Sequence, residues 1–228
     1  MVAERRNLLG RRVTAAEMAA RSRQDRESTV SYLIKDGDTE SMHGFSRERF
    51  ESGLTYEAYR KTVTKHERLW NGVYDHLRVP ADALNRIADL PGNRNVAVLA
   101  EDWCGDAASL VPVLAKVAAA APELVDLRVF SRDENLDVMD QHLSHGGRSI
   151  PVAIVFDDAM KKVGWWGPRP GPAQALFREK LRDYKAGRLT DKREEVNKPV
   201  LKWYRLDRGR HTIDEFLTIL ERGGSLRA

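Results

Sequence analysis

The chain has 228 residues, 42% hydrophobic and 32% charged, with a formal net charge of +4 and a single cysteine. These values describe a globular chain long enough to bury a sizeable core, and one cysteine excludes an intramolecular disulfide. No apolar stretch approaches the roughly 20 residues that cross a bilayer, so no membrane association is expected.

The opening MVAERRNLLGRRVT is charged where a signal peptide needs an unbroken apolar run, and a cytoplasmic location is expected. Arginines recur through it and beyond (Arg5, Arg6, Arg11, Arg12, Arg21, Arg23, Arg26), but Glu4, Glu17, Asp25 and Glu27 interrupt the series. That pattern describes a solvated helix face better than a nucleic-acid arm, so no nucleic-acid partner is expected. Residues 1–45 are read as a peripheral arm, helical from Thr14 to about Leu33, with the exposed loop KDGDTES at 35–41.

In GLTYEAYRKTVTKHERLWNGVYDHL, Tyr56, Tyr59, Val63, Leu69 with Trp70, and Tyr74 recur at helical spacing. This predicts one helix from about 55 to 77, packed on the core through its aromatic face. Pro80 opens a shorter helix, ADALNRIADL, which Pro91-Gly92 ends. The period then changes. NVAVLA (95–100) is a strand, followed by a helix with Leu110, Val111, Leu114 and Val117 on one face and Asp106 near its first turn. VDLRVF (125–130) is a second strand, NLDVMDQHL a short helix, and PVAIVF (151–156) a third strand. KKVGWW (161–166) follows after the Asp157-Asp158 turn, then the helix PAQALFREKLRDYKAG; a last helix is expected to start at Thr212, where Thr-Ile-Asp-Glu forms a capping box.

Strand, helix, strand, helix, two strands joined by a tight turn, helix: this is an α/β unit with a mixed sheet, its first βαβ crossover parallel and right-handed. The expected organisation is an arm (1–45), a helical extension packed on the core (46–91), an α/β core (92–185) and a C-terminal helical extension (186–228).

The lone cysteine lies in EDWCGDA (101–107), between the first strand and its helix. Pro112 follows it by eight residues, Arg148-Ser149-Ile150-Pro151 leads into the third strand, and Gly167 follows the fourth. On these positions, residues 92–185 resemble the thioredoxin superfamily: the Trp-Cys-Gly turn, the proline of the active-site helix, the loop ending in a cis-proline, and the groove-closing glycine. The strings EDWCGDA, RDEN, GGRSIP and WGPRP resemble a bacterial subgroup of that superfamily with a helical N-terminal extension. The resemblance implies a thioredoxin-like fold with Cys104 as catalytic thiol. It also implies a substrate groove lined by Trp103, Gly105, Asp106, Arg148, Ile150, Pro151, Trp166, Gly167 and Arg169.

Two positions depart from the family pattern. The second cysteine of a C-x-x-C pair is replaced by Ala107, and the buried carboxylate that helps deprotonate that cysteine is replaced by Val98. Both losses strike the resolving step, so dithiol turnover is closed to this chain alone.

What remains is a thiol at a helix N-terminus, where backbone N–H groups and the helix dipole favour thiolate. Asp106 opposes this by its like charge, and Arg148 or Arg169 can offset it. The alternative is a small buried hydrophobe, the ordinary role of free cysteine. His142 and His145 with Asp137 and Asp140 do not complete a metal ligand set, and GGRS lacks the Lys-Ser/Thr of a phosphate loop, so no metal and no cofactor are expected.

Three readings follow. The first is a monothiol thioredoxin-like oxidoreductase whose partners are protein or low-molecular-weight thiols and disulfides. The second is a redox-inactive thioredoxin-fold module that binds a protein partner. The third, resting only on thiol position, is ligation of an iron–sulfur cluster by Cys104 with an external thiol.

Overall fold

A computed structural model describes residues 44–222 and the backbone of two short strands, β1 (Arg5–Arg6) and β2 (Arg12–Val13). The chain divides into two units, residues 1–35 and 36–228. In the first, β1 and β2 pair antiparallel; the helix expected over 14–33 and the loop 35–41 lie outside the described residues.

The second unit is built on a five-stranded mixed sheet in the order β3-β5-β4-β6-β7. Its strands are β3 (Leu54–Thr55), β4 (Arg94–Ala100), β5 (Val125–Ser131), β6 (Val152–Phe156) and β7 (Lys162–Trp166). β4 and β5 are parallel, with Val96 opposite Leu127, whereas β6, β7 and β3 each run antiparallel to their neighbours. This is the expected thioredoxin-like mixed sheet with flanking helices. Every residue of β4 is buried, as its unbroken apolar run demands of a central strand covered on both faces. The sheet takes its edge strand from Leu54–Thr55, well before the stretch that carries the sequence resemblance.

Side chains alternate across the sheet. Ala97, Leu99, Val152, Ile154 and Phe156 share one buried cluster with Phe45, Phe50, Val138 and Met139. Phe45 stacks on Phe156 at 5.2 Å and meets Phe130 edge-on at 5.5 Å. This packing holds the short helices α1 (Arg47–Glu51) and α6 (Leu136–Met139) to that face.

Where one helix over 55–77 was expected, there are two: α2 (Tyr56–Thr62) and α3 (Glu67–His76), broken by extended Val63 and left-handed His66. The cause lies outside the segment. Asp102 Oδ2 accepts hydrogen bonds from Thr64 N–H, Thr64 Oγ1 and Lys65 N–H, each at 2.9 Å, and stabilises the break. The aromatic face is buried nonetheless: Trp70 is fully enclosed, meets Tyr59 edge-on, and donates from Nε1 to the Asp102 carbonyl.

α4 (Ala81–Ala88), α5 (Gly105–Ala118) and α7 (Gly171–Lys185) fall where the periodicity puts them. Beyond α7, a π-helical segment (Lys192–Asn197) leads into α8 (Lys198–Asp207) and α9 (Arg210–Leu220). α9 starts two residues before Thr212, so the expected capping box does not form. Its N-cap is Gly209, at φ 78°, and Asp207 Oδ2 accepts from His211 N–H.

Glu215, the acid of that expected box, has another task. One carboxylate oxygen accepts from Trp166 Nε1 and the other from Gly171 N–H, both at 2.8 Å, so α9 reaches across to cap α7 and hold the end of β7. Arg94 and Arg86 fasten α9 further. Arg94 donates to the Leu220 and Arg222 carbonyls at its C-terminal end, and Arg86 to Asp214 and Glu221.

Burial pushes the Glu215 carboxyl up to about 7, against the opposing pull of the Trp166 and Gly171 hydrogen bonds and the nearby His211. A carboxyl raised from 4.5 to about 7 on folding makes the native state the better proton binder. Its stabilising effect is complete below about 4.5 and is lost as pH rises through about 7. At about 1.4 kcal/mol per unit, the wild type should lose roughly 3 kcal/mol relative to Glu215→Gln between those limits. Denaturant unfolding of both proteins across that window measures the difference; parallel pH profiles would show that Glu215 does not titrate there.

Candidate functional site

Cys104 occupies the N-cap of α5, with extended backbone at φ −84° and ψ 116°. Its Sγ accepts from Ala107 N–H at 3.5 Å and donates to the Ile150 carbonyl at 3.5 Å. The Ile150–Pro151 peptide bond is cis, as is Gly167–Pro168. Gly167, at φ 131°, lies so close to this turn that an added Cβ would sit 2.2 Å from the Pro151 carbonyl oxygen, so only glycine fits. Cys104, Ile150, Pro151 and Gly167 thus lie together.

The thiol is pushed up from its ordinary pKa. Burial is the largest cause; the Ala107 N–H lowers it, the Asp106 carboxylate raises it, and the Asp106 N–H and Arg169 charge lower it. The helix terminus therefore loses to desolvation, and the resting sulfur is a protonated thiol at neutral pH.

Asp106 and Arg169 form a buried ion pair, with 15% and 10% of their side-chain surfaces exposed. The other Asp106 oxygen accepts from Tyr204 Oη at 2.8 Å, while Arg169 donates to Gln174 Oε1 and lies 3.8 Å from the Phe177 ring centre. Arg169 is therefore spent internally on Asp106 instead of facing substrate. Trp166 is also redirected: it is completely buried, with its N–H on Glu215. Arg148 is exposed and paired with Asp140 through two hydrogen bonds of 2.6 and 2.8 Å.

Trp103 is 50% exposed beside the thiol, and the Arg132 guanidinium sits over its ring at 5.4 Å. Arg132 also donates to the Arg148 carbonyl at 2.8 Å, joining the RDEN loop to the loop before Pro151. Gly105 faces Leu201 of α8: a Cβ there would lie 3.7 Å from a Leu201 methyl group. Ala107 and Val98, at the positions of the absent cysteine and carboxylate, are fully buried.

Sequence reasoning missed Arg132, Tyr204 and two structural acids. Glu101 Oε1 accepts from Ser131 Oγ and Asp133 N–H at 2.9 Å, pinning the RDEN loop, while Asp102 fixes the α2–α3 break. The density of acids in EDWCGDA was the available signal; their partners lie 30 or more positions away and leave no local trace.

His142 is buried, its Nδ1 2.8 Å from the Val138 carbonyl and its ring against Trp165, while Asp137 pairs with Arg49. Among the described residues, no three His, Cys, Asp or Glu side chains gather as a metal set, and no helix is long and apolar enough to cross a membrane.

The family model described as Thioredoxin matches residues 53–185, more than half of the chain. A protein of unknown function from Pseudomonas aeruginosa, whose crystal structure is known, is similar at 19% identity and a TM-score of 0.59, over 78% of this chain and 98% of that one. An HIV epitope-scaffold is similar at 19% identity and a TM-score of 0.58, over 76% and 96% of the two chains. At that identity the likeness concerns the fold alone. No curated protein matches the sequence.

Burial is the main cause of the raised thiol and the Asp106 carboxylate adds to it, so Asp106→Asn should let Cys104 ionise at lower pH. Iodoacetamide alkylation at pH 7 should accelerate several-fold, with the melting temperature followed to confirm that the Tyr204 and Arg169 contacts survive. An unchanged rate in a folded variant would show that burial alone sets the thiol.

Proposed function

This chain belongs to the thioredoxin family, and we propose that it performs monothiol thiol–disulfide exchange with Cys104 as the nucleophile. One observation carries the reading: the thiol sits at the α5 N-cap, bonded to Ala107 N–H and the Ile150 carbonyl, and the chain holds no second cysteine.

Cys104 gives its proton to water, and the thiolate attacks one sulfur of a substrate disulfide. That S–S bond breaks, the other substrate sulfur leaves as thiolate and takes a proton, and a mixed disulfide forms. An external thiol then displaces Cys104 by attacking the substrate sulfur, so the new disulfide joins substrate to that thiol and the Cys104 sulfur is reprotonated. Electrons are conserved through exchange, and no cofactor is required.

The substrates are protein or low-molecular-weight disulfides. Trp103, exposed beside the sulfur, offers them an apolar face, and the backbone beside Pro151 offers a strand edge. A free thiol and no disulfide suit a reducing compartment, here the cytoplasm.

The raised thiol favours a second reading, a redox-inactive module that binds a protein partner through the same surface.

Exchange predicts that wild type forms a mixed disulfide with oxidised glutathione faster as pH rises through 8, and that Cys104→Ser does not. Wild type should fail to reduce insulin by itself. Ala107→Cys places a second sulfur one helical turn on and should gain weak reductase activity, limited by the lack of a carboxylate at Val98. Mass spectrometry and the insulin assay read both outcomes. No mixed disulfide at any pH up to 9, in folded protein, would leave the binding-module reading.

A further inference from the structure

We propose that the groove between α3 and α8, whose lining does not include Cys104, binds an acidic amphipathic helix of a partner protein. The groove is open to solvent and spans about 1590 Å³. That exceeds the roughly 300–1,000 Å³ of a small-molecule pocket and suits a few turns of helix.

Its walls are apolar. Leu69 and Val73 of α3 and Leu77 just past its end line one side, Leu201 and Leu206 of α8 the other, and Val113 of α5 lies between them in the lining. Leu206 is 69% exposed, the most exposed of the large hydrophobic side chains among the described residues. Covering it with an apolar partner surface would be favourable.

The rim is cationic. Arg78, Lys202, Arg205, Arg208 and Arg210 line it, all exposed. None of the five forms an ion pair with a described residue. Among the described lining residues the sole carboxylate is Glu194, and Lys198 pairs with it at 2.5 Å. Arg208 stands at φ 56° in the α8–α9 turn, and a Cβ added at Gly209 beside it would lie 3.1 Å from Val113 and 3.4 Å from Leu77, so the turn sits close on the groove floor.

An apolar groove with uncompensated cations along one border matches a helix with Leu or Ile at positions i, i+4 and i+7 and Glu or Asp along its flank. A second copy of this chain is a poor occupant, because it would bring the same cationic rim to the interface.

The test uses the full chain and a fluorescein-labelled 15-residue peptide with leucines at that spacing and glutamates elsewhere, read by anisotropy at low and physiological salt. We expect saturable binding, weakened by salt, and at least tenfold weaker binding for the double variant Arg205→Glu/Arg208→Glu and for Leu206→Glu. Both variants alter exposed positions, and thermal melts confirm their folding. Cys104→Ser should bind as wild type does, which separates this site from the thiol.

Four results would overturn the proposal: no binding of the acidic peptide, equal binding of its lysine counterpart, or equal binding of a scrambled peptide of the same composition. The fourth is a concentration-dependent dimer in light scattering that Leu206→Glu abolishes, which would assign the groove to a second copy.

Discussion

The Asp106 carboxylate is the point on which the surroundings of the thiol depend. It lies in the first turn of α5 and holds Arg169 from the loop after β7 with one oxygen and Tyr204 from α8 with the other. Three elements distant in sequence are thereby fixed around Cys104. A buried ion pair gains little over well-packed apolar groups, but removing one partner costs about 3–5 kcal/mol because a charge is left unpaired. Asp106, Arg169 and Tyr204 therefore constrain one another: none changes its charge or shape without exposing the others to an unsatisfied environment. The link also has a chemical consequence, since the same carboxylate that organises the site raises the thiol beside it.

The string EDWCGDA becomes intelligible on this basis. Each acid is structural. Glu101 fastens the RDEN loop, Asp102 fastens the α2–α3 break, and Asp106 fastens the C-terminal extension. The strand-to-helix turn is thus tied to segments before it, after it and far beyond it in the chain. Trp103 is left half-exposed between them, with Arg132 across its ring. A turn held from three sides keeps the sulfur in place while the aromatic face next to it stays open to solvent.

The sequence made the central fold readable because its signals are local. β4, β5, β6 and β7 are apolar runs bounded by turn residues, and α5 and α7 have clear helical periods. The grouping of Cys104, Ile150, Pro151 and Gly167 was implied by the resemblance to the thioredoxin superfamily, which rests on short local strings. What escaped reading is long-range. The α2–α3 break follows no sequence breaker, since Val63 to His66 contains neither glycine nor proline; it depends on Asp102, 38 positions from Thr64. The Thr212 capping box failed because Glu215 gains more from two buried donors, Trp166 Nε1 and Gly171 N–H, than from its own helix start. Arg169 reads as a free cation in WGPRP, and nothing near it in sequence reveals that Asp106, 63 positions earlier, neutralises it.

Burial explains how a sulfur at a helix N-terminus stays a thiol, and the hydrogen bonds of Cys104 pull in opposite directions around it. One contact, from Ala107 N–H, favours the anion; the other requires the proton, because the Ile150 carbonyl can only accept. Ionisation would set a thiolate against a carbonyl oxygen at that contact while the burial penalty remains. Burial, the largest cause, and the contact with the Ile150 carbonyl together keep the resting sulfur a thiol, against the pull of the Ala107 and Asp106 N–H groups and the Arg169 charge.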